Sequence, residues 1–180
     1  MAITPIDSLL VMPSATHARS YQSAVAEGYE PDPAAPPVLV GGSMDAHLAW
    51  LNAQGGEIRL PDGRMVPRTA HVQLWLVHAY TFIGRVNIRF HLNDDLRLWG
   101  GNIGYAIRPS FRQKGFGTHI LAQALPVARE SGLRGVLLTC LDTNTGSIKV
   151  IEANGGMLAE IGPHPAHPEQ TVRKYWIDLL

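Results

Sequence analysis

The segment from Asn102 to Cys140 limits the fold more than any other part of the chain. It opens with an apolar run, Ile103-Gly104-Tyr105-Ala106-Ile107, which stops at Arg108-Pro109. Proline has no N–H to offer a ladder and fixes its own φ, so a strand ends there. From Gly115 to about Ser131 the pattern changes, with Ile120, Leu121, Ala124, Leu125 and Ala128 at the spacing of a core-facing helical stripe and Gly132 as the stop. Val136-Leu137-Leu138-Thr139-Cys140 then reads as a short buried strand. Strand, helix and strand in this order predict a βαβ-type crossover with a parallel pair. Pro126 falls inside the helix, where it removes a donor and usually costs about 3 kcal/mol, so a kink or break is expected there.

The flanking segments supply the rest of an α/β sheet. Ser8 to Met12 reads as a strand, and a helix follows from Pro13 or Ser14 with Ala15, Ala18, Tyr21, Ala24 and Val25 on one side and Gly28 at its end. Pro31, Pro33, Pro36 and Pro37 hold the next stretch extended. A second helix spans Ser43 to about Gln54, with Met44, His47, Leu48 and Leu51 on one side and Gly55-Gly56 closing it. Thr69 to Val77 and Thr81 to His91 predict a β-hairpin. In its second strand Arg85, Asn87, Arg89 and His91 share one face and Val86, Ile88 and Phe90 the other, so one face packs and the other meets water or a ligand. A loop through Asn93-Asp94-Asp95 and Gly100-Gly101 leads into the Asn102 to Arg108 strand. Asn144 or Thr145 starts a last helix reaching Glu152, and Met157 to Ile161 and Val172 to Ile177 are final strands around a Gly162-Pro163-His164-Pro165 loop. The fold class is therefore α/β (α+β), a mixed central sheet of about six to seven strands flanked by about four helices, in a single domain over residues 1–180.

Composition narrows the function. Fifteen basic residues balance fifteen acidic ones, leaving no surplus field to attract phosphate backbones or anionic lipid, so nucleic acid and membrane are not expected partners. A lone Cys140 allows no intrachain disulfide, the N-terminus lacks the basic-then-apolar order of a secretory signal, and no apolar run approaches a membrane span; a soluble cytoplasmic protein is expected. His164 and His167 have irregular spacing and no partnering cysteine or carboxylate pattern, so no metal site is expected, and Trp75, Trp99 and Trp176 read as core. Oligomeric state is not specified by anything in the sequence.

The chemistry lies in the turn after Ile107. Arg108-Pro109-Ser110-Phe111-Arg112-Gln113-Lys114-Gly115-Phe116-Gly117-Thr118 places two cations and two glycines at the N-terminus of an amphipathic helix. The unpaired N–H groups and positive dipole end of a first helical turn suit a phosphate, and glycine lets the backbone approach it. The same residues also make sense as a tight strand-to-helix turn with solvated cations. Neither a G-x-x-x-x-G-K-[ST] loop nor the third glycine of a dinucleotide fingerprint is present.

What remains is R-x-x-G-x-G after a strand, which resembles the acetyl-CoA pyrophosphate loop of the GNAT superfamily of N-acetyltransferases. The order of elements along nearly the whole chain is similar too, and Asn144 with Ser147 resembles that family's second cofactor contact. The resemblance implies an enzyme of the acyltransferase type, moving acetyl from acetyl-CoA to a primary amine by direct attack. It implies pyrophosphate contacts from Arg112, Gln113, Lys114, Gly115, Phe116, Gly117 and Thr118, and a pantetheine arm lying between splayed strands against backbone groups near Ala106 and Ile107. The acceptor pocket would come from Ser14 to Gly56 and Gly162 to Gln170, for a small-molecule or peptide amine.

One departure stands out. Seven residues after Asn144, where many relatives carry a proton-donating Tyr, this chain has Ile151. A thiol of ordinary pKa near ~8.5 can still leave as thiolate. A silent acyl-CoA sensor on the same fold is the alternative that Ile151 suggests. For the general base, His91 titrates in the useful range and ends the polar stripe, with Asp142 as a second candidate. Arg89, in the same stripe, suits an acceptor carrying a carboxylate or phosphate, although a simply solvated face explains the stripe as well.

Overall fold

The computed structural model describes residues 3–32, 35–39, 42–59 and 63–180. Pro33 of the predicted extended loop lies outside the described residues. Strands β1 (Leu9–Val11), β4 (His71–His78), β5 (Thr81–Arg89) and β6 (Ile103–Ile107) form an antiparallel sheet in the order β1-β4-β5-β6. A second antiparallel sheet has the order β7-β9-β8, from β7 (Gly135–Leu141), β8 (Met157–His164) and β9 (His167–Asp178). Helices α1 (Ala18–Ala26) and α2 (Met44–Asn52) precede β4, α4 (Phe116–Glu130) crosses from β6 to β7, and α5 (Thr145–Ala153) follows β7. Ser43 caps α2 by accepting the Ala46 N–H at 3.2 Å, as a residue with a short polar side chain does at that position. Among the described residues no helix is long and apolar enough to cross a membrane.

The core lies on both faces of the β4–β5 hairpin. On one face Leu76, Ile83, Val86 and Ile88 pack against Ile120, Leu121 and Ala124 of α4 and against Val136 and Leu138 of β7. On the other, Tyr21, Tyr29, Trp75 and Phe82 form an aromatic cluster beneath α1 and α2, with Tyr21 stacked on Trp75 at 4.6 Å between centroids. The polar face of β5 is therefore covered rather than wet at its Phe82 end, and Asn87 is buried.

Several expectations need correction. The parallel β6–β7 pair is no ladder: β6 ends one sheet and β7 the other. They are clasped at their base, where the Asn102 N–H donates to the Leu137 carbonyl at 2.7 Å and the Leu137 N–H to Asn102 Oδ1 at 2.9 Å. Gly101 makes that approach possible, since its φ is +64° and a Cβ there would overlap the Leu137 carbonyl. Helix α4 runs through Pro126 without a break. Pro126 and Ala122 both face solvent, so the carbonyl that proline leaves unpaired is open to water.

Three short elements were not anticipated. A hairpin joins β2 (Glu57–Arg59) to β3 (Met65–Pro67), and a five-residue helix α3 (Asp94–Leu98) sits in the expected loop, capped by Asn93 Oδ1 on the Leu96 N–H at 2.9 Å. Likewise, Gly162 to His164 are not loop but continue β8, and the chain turns only at Pro165-Ala166. Strand β8 is a sheet edge, where Pro163 forfeits no ladder bond that the interior needs.

Candidate active site

From their clasp at Asn102, β6 and β7 border a cleft of about 330 Å³ walled by Gly104, Tyr105, Leu138 and Cys140, with Asn144 and Ser147 of the α5 start and Ile151 behind them. The phase of the β5–β6 ladder decides what β6 shows to this cleft. The Arg89 N–H donates to the Asn102 carbonyl at 2.7 Å and the Arg108 N–H to the Ile83 carbonyl at 2.8 Å, at opposite ends of one continuous register. Bonded pairs alternate along an antiparallel ladder, so Gly104 and Ala106 spend their backbone groups on β5. Ile103, Tyr105 and Ile107 turn theirs away from β5. Tyr105 and Ile107, but not Ala106, thus leave backbone groups unspent on β5.

Beyond Ile107 the chain makes the expected basic turn. Arg112, Gln113, Lys114 and Gly115 are exposed, and Gln113 and Gly115 both sit in the left-handed region at φ 58° and 84°. Left-handed backbone at Gly115 costs a glycine little and any other residue about 1–2 kcal/mol. No side chain caps the helix that follows; the first N–H with a backbone partner is that of His119, which reaches the Gly115 carbonyl at 3.1 Å. The N–H groups of Phe116, Gly117 and Thr118 precede it at the positive end of the helix. Arg112 Nε donates to the Ile107 carbonyl at 3.0 Å and Lys114 Nζ to the Ser110 carbonyl at 2.7 Å, which folds both cations back over the turn. Phe116 is itself a core side chain, packed edge-on against Phe111, so only its backbone is available. Asn144 has a structural task as well, its Oδ1 accepting the Ser147 N–H at 3.0 Å to cap α5.

Tyr105 is the one hydroxyl-bearing ring lining the cleft. Burial pushes its phenol up to about 12, and its Oη lies 3.5 Å from the Ser147 carbonyl. Burial also pushes the Cys140 thiol up.

A second and larger cavity, about 770 Å³, meets the first at Arg89 and Trp99, which line both. Its other walls come from α2 (Trp50), the β2–β3 hairpin, α3 and the β8–β9 turn, and the Arg64–Asp95 ion pair at 2.9 Å ties that hairpin to α3. His71 and Asn87 line it, and each holds a buried atom, Nε2 and Oδ1, with no protein partner. His71 Nδ1 is 2.9 Å from the Thr69 carbonyl and so carries the proton there, leaving Nε2 as a lone pair. Burial first, with the nearby Arg68 and Arg89 charges, holds the His71 pKa below the usual histidine range.

Other sequence candidates lie elsewhere. His91 is exposed beyond the end of β5 and lines neither cavity, and Asp142 pairs with Arg173. Trp75 is core as expected, but Trp99 lines both cavities and Trp176 is half exposed. His164 and His167 flank the turn over the larger cavity, with His164 Nδ1 accepting the Ala166 N–H at 3.1 Å. His71, Arg68 and Trp50 escaped sequence reading because what marks them is the cavity they share, which only the tertiary fold creates.

Comparison with known proteins decides the family. Residues 40–157 match the model of the GNAT acetyltransferase domain. The chain belongs to the GNAT acetyltransferase family. Solved structures agree on the fold: a putative acetyltransferase, yncA, from Salmonella typhimurium in a structure with its cofactor acetyl-CoA has a TM-score of 0.60 at 16% identity, covering 97% of this chain and 95% of that one. RimJ from Mycobacterium smegmatis in complex with CoA-disulfide gives 0.63 at 18%, covering 95% and 81%. A spermidine N-acetyltransferase chimera of Vibrio cholerae SpeG and hSSAT gives 0.61 at 17%, covering 96% of each chain. No curated protein matches the chain.

Proposed function

We propose that this GNAT protein is an N-acetyltransferase that moves the acetyl group of acetyl-CoA directly to a primary amine. The observation that carries the reading is the unladdered β6–β7 cleft, which meets a larger cavity at Arg89 and Trp99, in a chain whose α4 starts uncapped and flanked by cations. Acetyl-CoA bound in the related yncA structure supports the choice of donor. The pyrophosphate would rest on the backbone N–H groups of Gln113 to Thr118 beside Arg112 and Lys114, with Asn144 and Ser147 across the cleft. Tyr105 and Ile107 would offer main-chain partners to the pantetheine amides.

Transfer then needs a neutral amine, alignment and a way for sulfur to leave. The amine nitrogen attacks the thioester carbon, the C–S bond breaks, and the thiolate takes a proton. Tyr105 stays protonated at neutral pH and lines the cleft in which Ile151 cannot donate, so we assign it that proton. His71, whose ring lines that cavity and keeps Nε2 unprotonated, is the candidate base in place of His91, with a shift of the ring needed to bring that buried Nε2 to the amine.

Calorimetry with acetyl-CoA tests the donor site, with a Kd in the micromolar range expected; a value weaker than about 1 mM overturns it. Coenzyme A release with a broad amine panel tests transfer. A protein that binds the thioester and turns nothing over is the silent sensor instead. With an active acceptor, Tyr105→Phe is expected to lower kcat by about tenfold or more and leave the acetyl-CoA Kd in place.

A further inference from the structure

Among the described residues the larger cavity is lined by three arginines, Arg64, Arg68 and Arg89, against two aspartates, Asp32 and Asp95. Among the described residues neither Arg68 nor Arg89 has a carboxylate within ion-pair distance, whereas Arg64 and Arg85 pair with Asp95 and Asp32. Arg68 is fixed by Nη1 bonds to the Trp50 and Ala53 carbonyls at 2.9 and 3.3 Å and lies 4.0 Å over the Trp50 ring. Arg89 donates through Nη1 to the Gly101 carbonyl at 3.1 Å, and its other nitrogens stay accessible. Burial and the neighbouring Arg85 and Arg68 charges depress the Arg89 guanidinium, with Asp32 opposing them. A buried cation without a counter-charge is costly unless a ligand supplies one, and a planar guanidinium matches a carboxylate on two N–H groups at once.

Position adds a second constraint. Arg89 lines both cavities, so an anion held there lies next to the place where the amine must meet the thioester. Anion and amine are then separated by a few bonds. His71 and Asn87 line the same cavity beside Arg89, although their unpartnered Nε2 and Oδ1 are themselves buried. The apolar part of the lining is Trp50, Trp99, Leu96, Leu98 and Val66.

Resting on the transferase reading above, we propose that the acceptor is a small amino acid with an apolar side chain, its carboxylate held by Arg89 and Arg68 and its amine turned toward the cleft. A polyamine or a lysine side chain, cationic and without a nearby anion, does not fit this charge.

The test uses matched pairs on the full chain saturated with coenzyme A: calorimetric titration of L-leucine and L-phenylalanine against their carboxamides. The acids are expected to bind at least tenfold tighter than the amides. In Arg89→Gln and Arg68→Gln the acids lose that advantage while the amides change little, and the wild-type pairs decide the matter even if a variant fails to fold. Equal affinity of acid and amide, including no measurable binding of either, overturns the proposal. Acid-selective binding with no coenzyme A release from any amine upholds the anion site and overturns transfer. Turnover confined to amides or polyamines does the reverse.

Discussion

Asn102 holds the two sheets together at the point where the cleft begins, and its replacement by alanine has a cost that follows from the hydrogen bonds. In an ordinary bonded pair the Asn102 N–H would go to the Arg89 carbonyl; here it is diverted across to the Leu137 carbonyl, and the side-chain Nδ2 takes its place on Arg89 at 3.0 Å. Oδ1 meanwhile accepts the Leu137 N–H. Asn102→Ala therefore strands one donor and one acceptor in a site where Asn102 is 4% and Leu137 5% exposed. Each buried group left unpaired costs about 1–3 kcal/mol, which gives roughly 2–6 kcal/mol for the pair, against a total of about 5–15 kcal/mol for a domain. At about 2–4 °C per kcal/mol, the melting temperature is expected to drop by roughly 4–24 °C. Asn102→Asp keeps the acceptor and loses the donor, so alanine and aspartate together separate the two halves of the clasp. Urea denaturation followed by tryptophan fluorescence and circular dichroism measures the change. A loss under about 1 kcal/mol for Asn102→Ala, with the denaturant slope unchanged, would refute the clasp.

Two further outcomes are expected. Arg112→Ala removes an exposed cation, so the melting temperature is expected to hold within about 2 °C, while calorimetry shows acetyl-CoA binding about tenfold to a hundredfold weaker, as the loss of a charged hydrogen bond implies. Stability also has an acid limb set by buried neutral histidines. His47, fully buried between the Pro36 carbonyl and the Tyr21 hydroxyl at 2.7 and 2.9 Å, and His71 both have pKa values held below the free value, chiefly by burial. Below about pH 6.5 the unfolded chain takes up protons that the folded one refuses, so stability falls from pH 7 toward pH 5 and is unaffected above pH 7. In a chemical-denaturation series over that range, His47→Gln is expected to flatten the fall; an unchanged slope would show that His47 does not contribute.

The parts of the site that sequence made legible are those written in local chemistry. Proline at Pro109, glycine at Gly115 and the stripe ending in Ala128 act within a few residues of chain, and the turn and helix formed where they indicate. The Arg85-Asn87-Arg89 alternation correctly placed three side chains on one face, but what covers that face depends on α1, α2 and the hairpins. His91 falls outside the stripe because β5 ends at Arg89, two residues short of it, and beyond the strand the period-two rule no longer holds. The short β2, β3 and α3 segments carry too few residues for a period to register. That the backbone of Ala106 is spent on β5 was hidden for a different reason, since which groups a strand leaves free depends on ladder phase, and phase is fixed by pairing rather than by composition.

The β8–β9 turn has a consequence for how such a protein diversifies. Its tip, His164 to His167, lines the larger cavity, while the register that anchors the hairpin runs from Met157 to Gly162 against Val172 to Trp176. Exchanges or insertions at the tip leave those rungs intact and stay clear of the β6 and β7 segments that border the cleft. On the transferase reading proposed above, acceptor preference can thus be altered by exchanging a few tip residues while the strands of the cleft stay as they are.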